Sequence, residues 1–189
     1  MGVHEIEFNR MLDLPEYDLK RGTVALALHL RQLGTKQELL CVNTHLFWDH
    51  KFNNIKYAQI SYLLKEISSI LSKLHSVPAI ICGDLNVWPD SNVLRLLYGL
   101  EPNYSYPDIV TEEHKKVLKH FWETYGAPLK NMRSSYEIYQ DALKEKPISN
   151  KPYEETMKGH PEYTCLTLDK YETLDYILYD KELYCISKG

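Results

Sequence analysis

The sequence predicts an α/β (α+β) fold, in which strands are mixed with a few helices. Two observations lead there. Short apolar runs near 23–32, 37–45, 77–83 and 174–180 are bounded by polar or glycine residues and have the length of strands. Between the second and third, Ile60, Leu63, Leu64, Ile67, Ile70, Leu71 and Leu74 return at helical spacing, which marks an amphipathic helix near 54–74.

Each element follows in order. Strands 23–32 and 37–45 are predicted to pair as a hairpin through Leu33-Gly34-Thr35. The long helix comes next, then strand 77–83, where Gly83 permits a sharp exit. A short helix near 92–98 has Asp90 or Ser91 as its N-cap and Gly99 as its stop. Residues 101–162 read as an insertion, with helices near 112–124 and 134–144 set in loops containing proline and tyrosine. Strands near 174–180 and 183–187 complete the pattern. Before residue 21 no buried strand is legible, so Glu5, Glu7 and Asn9 are given no role.

At 189 residues, 44 % hydrophobic and 12 % aromatic, the chain can bury a core of single-domain size. A net charge of −4 provides no global basic footprint, which excludes a duplex-wrapping or sequence-reading nucleic-acid binder. It leaves room for an exonuclease, which needs only a local groove. Fifteen tyrosines suit a base-stacking groove and equally suit half-buried packing. Glu112-Glu113 and Lys115-Lys116 read as solvated helix surface. Cys41, Cys82, Cys165 and Cys185 are too widely spaced for a zinc or disulfide framework. With no apolar stretch of about 18 residues, the expectation is a reducing, cytoplasmic setting without a membrane partner.

Function is most legible at Ala79-Ile-Ile-Cys-Gly-Asp-Leu-Asn-Val-Trp-Pro89. If the extended backbone persists past Gly83, Asp84 and Asn86 point to the same side. A carboxylate and a carboxamide projecting together suit polarising water and holding a phosphate beside a divalent cation. The same residues also read as a polar turn, since Gly-Asp and Asn-x-x-Pro are both turn chemistry. A second segment ends in Asn43, Thr44 and His45. A histidine at a strand end can donate to a phosphate oxygen, shuttle a proton or simply be structural. In the third, alternation sets Asp175 opposite Leu174 and Tyr176, where a carboxylate is costly unless paired or functional.

Asn-Thr-His-Leu, Gly-Asp-Leu-Asn and Thr-Leu-Asp-Tyr-Ile-Leu-Tyr, in this order, resemble three signature strands of the endonuclease/exonuclease/phosphatase superfamily. Thr-His-Leu-Phe-Trp-Asp, the following Lys56-Tyr-Ala-Gln-Ile60 and the upstream Arg21-Gly-Thr-Val-Ala-Leu26 resemble its branch of carbon-catabolite-repressor-type deadenylases, nocturnin and Angel proteins. The resemblance implies part of a four-layer α/β sandwich with two packed mixed sheets. It implies that Asp84 activates or positions the attacking water, with Asn86 helping to hold it and the phosphate. His45 would contact the scissile phosphate, and Asp175 would orient a histidine of a Ser-Asp-His motif. Asn43, Trp48 and Tyr171 become substrate-binding candidates. The implied cofactor is Mg²⁺ (or Mn²⁺), touched weakly or indirectly by Asp84, and the implied partner is single-stranded RNA, poly(A) or a small oligonucleotide.

The departures from the family are specific. Its metal-binding glutamate and active-site asparagine have no counterpart before residue 21, and Ser-Asp-His is absent. His50 stands where a proline is usual and Lys170 where an aromatic is usual, with Tyr171 one residue on. Residues 1–189 therefore read as the carboxyl-terminal half of a catalytic domain, expected to be inactive alone. The competing readings are a 2′,5′-oligoadenylate or other nucleotide phosphodiesterase, and a non-catalytic binding module.

Overall fold

A computed structural model describes residues 1–11, 14, 16–130, 132–136, 160, 161, 163–167, 171–181 and 183. Its strands are β1 (Gly2–Glu7), β2 (Val24–Arg31), β3 (Glu38–His45), β4 (Ala79–Asp84), β5 (Met132–Ser134), β6 (Cys165–Leu166), β7 (Tyr171–Glu172) and β8 (Asp175–Asp180). Its α-helices are α1 (Asn53–Leu71), α2 (Asn92–Leu97) and α3 (Glu112–Tyr125). Among the described residues six strands form one mixed sheet in the order β1-β2-β3-β4-β8-β5, and β6 pairs with β7. The β2–β3 hairpin is as expected. Among the described residues the sheet's one parallel pair is β3–β4, and α1 makes the crossover that such a pair requires.

Alternation along the strands divides the sheet's two faces. Ala25, Ala27, Leu40, Val42, Ala79, Ile81, Tyr176 and Leu178 point to the helices and are buried with Ile55, Ile60, Leu63, Leu64 and Ile67 of α1. The amino-terminal half of α1 is buried on every side, including the polar Asn53, Asn54, Lys56, Gln59 and Ser61. A single apolar stripe does not explain that. The cause is a third layer: α3 lies outside α1, with Asn54 Nδ2 donating to Glu113 Oε1 (2.6 Å) and Tyr57 edge-on to His114. The other face of the sheet is open among the described residues. Val3, Val24, Leu26, Leu30 and Ile177 are 42–71 % exposed there.

Several local expectations shift. β1 escaped the periodicity because only Ile6 along it is buried, yet all six of its residues pair with β2. Helix α1 ends at Leu71, leaving Leu74 in the turn beyond it. Of the two N-cap candidates, Ser91 caps α2, its hydroxyl accepting from the Leu94 amide. Thr111 caps α3 in the same way, with Glu112 and Glu113 in the favourable first turn. Of the helix expected near 134–144, Ser134 closes β5 instead, residues 135 and 136 are helical, and 137–144 lie outside the described residues. So do most of the strand expected near 183–187, Cys185 and Lys170. No described helix is long and apolar enough to cross a membrane.

Candidate active site

Three of the four predicted catalytic side chains form a row. His45 ends β3, Asp84 ends β4 and Asp175 begins β8, and the registers set His45 beside Asp84 and Asp84 beside Asp175. Directly paired residues share a face, here the open one. Gly83 lets the strands close up behind this row. Its φ is +141°, and a Cβ there would lie 1.8 Å from the Thr44 carbonyl oxygen. The ladder continues one step past Asp84: Leu46 N–H donates to the Asp84 carbonyl (3.0 Å) and Leu85 N–H to that of Leu174 (2.9 Å).

His45 Nε2 lies 3.7 Å from Asp84 Oδ2, an ion pair whenever the imidazole is protonated. Burial pushes the Asp84 carboxyl above its ordinary pKa. The bond from the Asn86 amide opposes that rise, and the charge of Asp175 adds to it. Asp175 is held through its backbone, its amide donating to Thr164 Oγ1 and its carbonyl accepting from the Tyr136 hydroxyl.

Asn86 departs from the expected geometry. Extended backbone stops at Asp84, whose Oδ1 accepts the Asn86 amide (2.9 Å), and Asn86 itself is left-handed with φ +51°. Its side chain turns inward, is only 6 % exposed, and donates from Nδ2 to the Leu46 carbonyl (3.0 Å). The turn chemistry visible in the sequence prevails at this point. Asp84 and Asn86 are therefore coupled through a turn and do not project side by side.

Of the substrate-binding candidates, Asn43 lies one alternation below His45 on the same face, its Nδ2 3.4 Å from the Cys82 carbonyl. Trp48 and Tyr171 are exposed, the former tilted against Phe47. Two features were missed in the sequence. Glu172 accepts Trp88 Nε1–H (3.1 Å) and stands 3.6 Å from His50 Nε2, while the His50 and Trp88 rings stack 5.2 Å apart. The only sequence signal was His50 in place of proline. The second is Lys56, which is fully buried. Its Nζ donates to the Asn86 carbonyl (2.7 Å) and to Asn53 Oδ1 (3.2 Å). Burial lowers its pKa to about 8, against the upward pull of Asp49, Asp108, Asp84 and Glu172. The available signal was its place four residues before Ile60, on the apolar stripe.

Among the described residues, no three carboxylate, imidazole or thiol side chains converge as a cation site. A hard divalent cation asks for about six oxygens, some of them water. Asp84 and Asp175 alone do not fit a dedicated metal centre.

No family model matches the chain. Its fold is that of the human nocturnin catalytic domain solved with bound sulfate (TM-score 0.57, 22 % identity, 96 % of this chain and 47 % of that one). It is equally that of ANGEL2, described as a 2′,3′-cyclic phosphatase (0.62, 23 %, 96 % and 55 %). The same fold is seen in an endonuclease/exonuclease/phosphatase family protein from Bacteroides thetaiotaomicron (0.50, 15 %, 95 % and 50 %). In sequence the chain is similar to Ccr4 proteins. The CCR4-Not complex 3′-5′-exoribonuclease subunit Ccr4 of Kluyveromyces lactis is 29 % identical over 150 residues, covering 69 % of this chain and 19 % of the relative. That of Saccharomyces cerevisiae is 31 % identical over 149 residues, covering 69 % and 18 %. The chain thus spans about a fifth of these relatives' length.

Proposed function

We propose that this chain supplies half of the active site of a hydrolytic phosphodiesterase, a 3′-to-5′ exoribonuclease with poly(A) as its first substrate. The observation behind this reading is the His45–Asp84–Asp175 row on one face at the strand ends. In it, Asp84 takes the proton of the attacking water, a task suited by a carboxyl raised above its ordinary pKa. His45 donates a hydrogen bond to a phosphate oxygen and gains strength as charge develops there. Asn86 fixes Asp84 through its amide. Asp175 orients an imidazole supplied to the row. Mg²⁺ belongs to this reading as an ion held largely by groups other than these carboxylates.

Two facts support the two-half reading: the apolar sheet face open among the described residues, and coverage of about half of each solved chain. The test measures shortening of oligo(A), other homopolymers and 2′,5′-linked oligoadenylate with Mg²⁺ or Mn²⁺. The chain is assayed alone and joined to the amino-terminal half of a Ccr4 catalytic domain. The expected result is no turnover alone and 3′-end shortening of oligo(A) by the joined protein, abolished by Asp84→Ala. Shortening by the chain alone would refute the half-site reading. Preference for the 2′,5′ linkage would refute the substrate, and binding without cleavage by the joined protein would refute catalysis.

A further inference from the structure

We infer that Lys56 is a positioning residue: from α1 it clamps the left-handed turn at Asn86, and thereby aims Asp84. Lysine is almost never fully buried without a partner that requires it, and Lys56 is 0 % exposed. Its ammonium reaches out of the helix layer to the carbonyl of Asn86, just past the end of the β4–β8 ladder. The other end of the clamp is anchored. Asn53, which shares the ammonium through Oδ1, donates from Nδ2 to the Asp108 carbonyl (3.0 Å), as does the Tyr57 hydroxyl (2.9 Å). The Asp108 carboxylate in turn accepts the Asn92 amide (2.6 Å) and Asn92 Nδ2 (2.9 Å) at the start of α2. Asn53, Tyr57, Asn92 and Asp108 are all buried, so the anchor is rigid.

A left-handed non-glycine residue persists only where its surroundings over-determine it. Asn86 has three such restraints: its amide on Asp84 Oδ1, its carboxamide on Leu46, and Lys56 on its carbonyl. The first two are made by the turn and the adjoining strand end, and would move with them. Lys56 alone of the three comes from a different layer, so it sets where the turn stands relative to the core. The effect on catalysis rests on the nuclease reading, whereas the clamp itself does not.

The test is amide hydrogen exchange by NMR on the full chain, comparing the parent with Lys56→Met, Lys56→Arg and the double variant Lys56→Met/Asn86→Gly. Lys56→Met should speed exchange at Asn86 and Leu85 at least tenfold while Val42 and Ile81 keep their protection. Lys56→Arg, which keeps a donor, should recover most of the loss. Glycine occupies the left-handed region without help, so the double variant should regain protection at Leu85. Unchanged exchange at Asn86 and Leu85 in Lys56→Met would overturn the inference, as would an even loss of protection across the sheet. If Lys56→Met fails to fold, a folded double variant supports the clamp and an unfolded one refutes it. No substrate is involved, so failure of the nuclease reading leaves these outcomes intact.

Discussion

Gly83→Ala places a methyl group where the structure has no room for one. The added carbon would lie 1.8 Å from the Thr44 carbonyl oxygen and 2.9 Å from its carbon, both backbone atoms of the neighbouring strand. Relief requires β3 and β4 to part by more than about 1 Å, since non-bonded heavy atoms rest near 3.5 Å. The backbone angle adds to this, because φ +141° is one that an L side chain rarely adopts. Overpacking costs about 1–3 kcal/mol and a sparsely populated backbone about 1–3 kcal/mol, so a loss of about 2–6 kcal/mol is expected. For a domain stable by about 5–15 kcal/mol, that is a large share of the total. Urea denaturation followed by tryptophan fluorescence measures it. Gly22→Ala is the control, since a Cβ there meets nothing within 4 Å, and it should change stability by less than about 0.5 kcal/mol. A loss below about 1 kcal/mol for Gly83→Ala would refute the close-approach argument.

In a chain that hydrolyses RNA, Asp84→Ala should lower the rate by roughly 10²–10⁴, and near-normal turnover would remove Asp84 from the mechanism. His45→Ala should depress kcat more than it raises KM, because its bond strengthens as charge develops; a KM effect alone would make it a plain binding residue. Lys56 has its folded pKa lowered from 10.5 to about 8, so the unfolded chain binds the extra proton between those values. Stability relative to Lys56→Met should therefore rise with pH across that window, by at most about 3 kcal/mol, and be level below about pH 8. Parallel stability profiles for the two proteins from pH 7 to 10.5 would contradict it.

The buried strands and helices were legible because their apolar residues repeat with the right period. Leu40 and Val42, Ala79 and Ile81, and Tyr176 and Leu178 alternate toward one core. The row was legible for the same reason, each member falling at a strand end where alternation fixes its face. β1 was not, since an edge strand with one buried residue has no period to detect. The direction of Asn86 was not either. It depends on Leu46 and Lys56, distant in sequence, which a local extended-chain rule cannot see. Trp88 and Glu172 meet across 84 positions, and nothing local announces such a pair. Leu26 and Leu30 look like core residues in the sequence, and only the fold shows that they face the open side.

The row also bears on how the chain folds. His45 reaches Asp84 only after the whole of α1 has closed the parallel crossover. Asp84 reaches Asp175 only across the stretch that holds α2, α3 and β5. Pairings of such long range carry the largest loop-closure entropy and form slowly compared with a hairpin such as β2–β3. The three side chains therefore come together only once both long-range pairings are made. Any ligand that binds them selects the fully folded chain, and by mass action would stabilise it and raise its melting temperature.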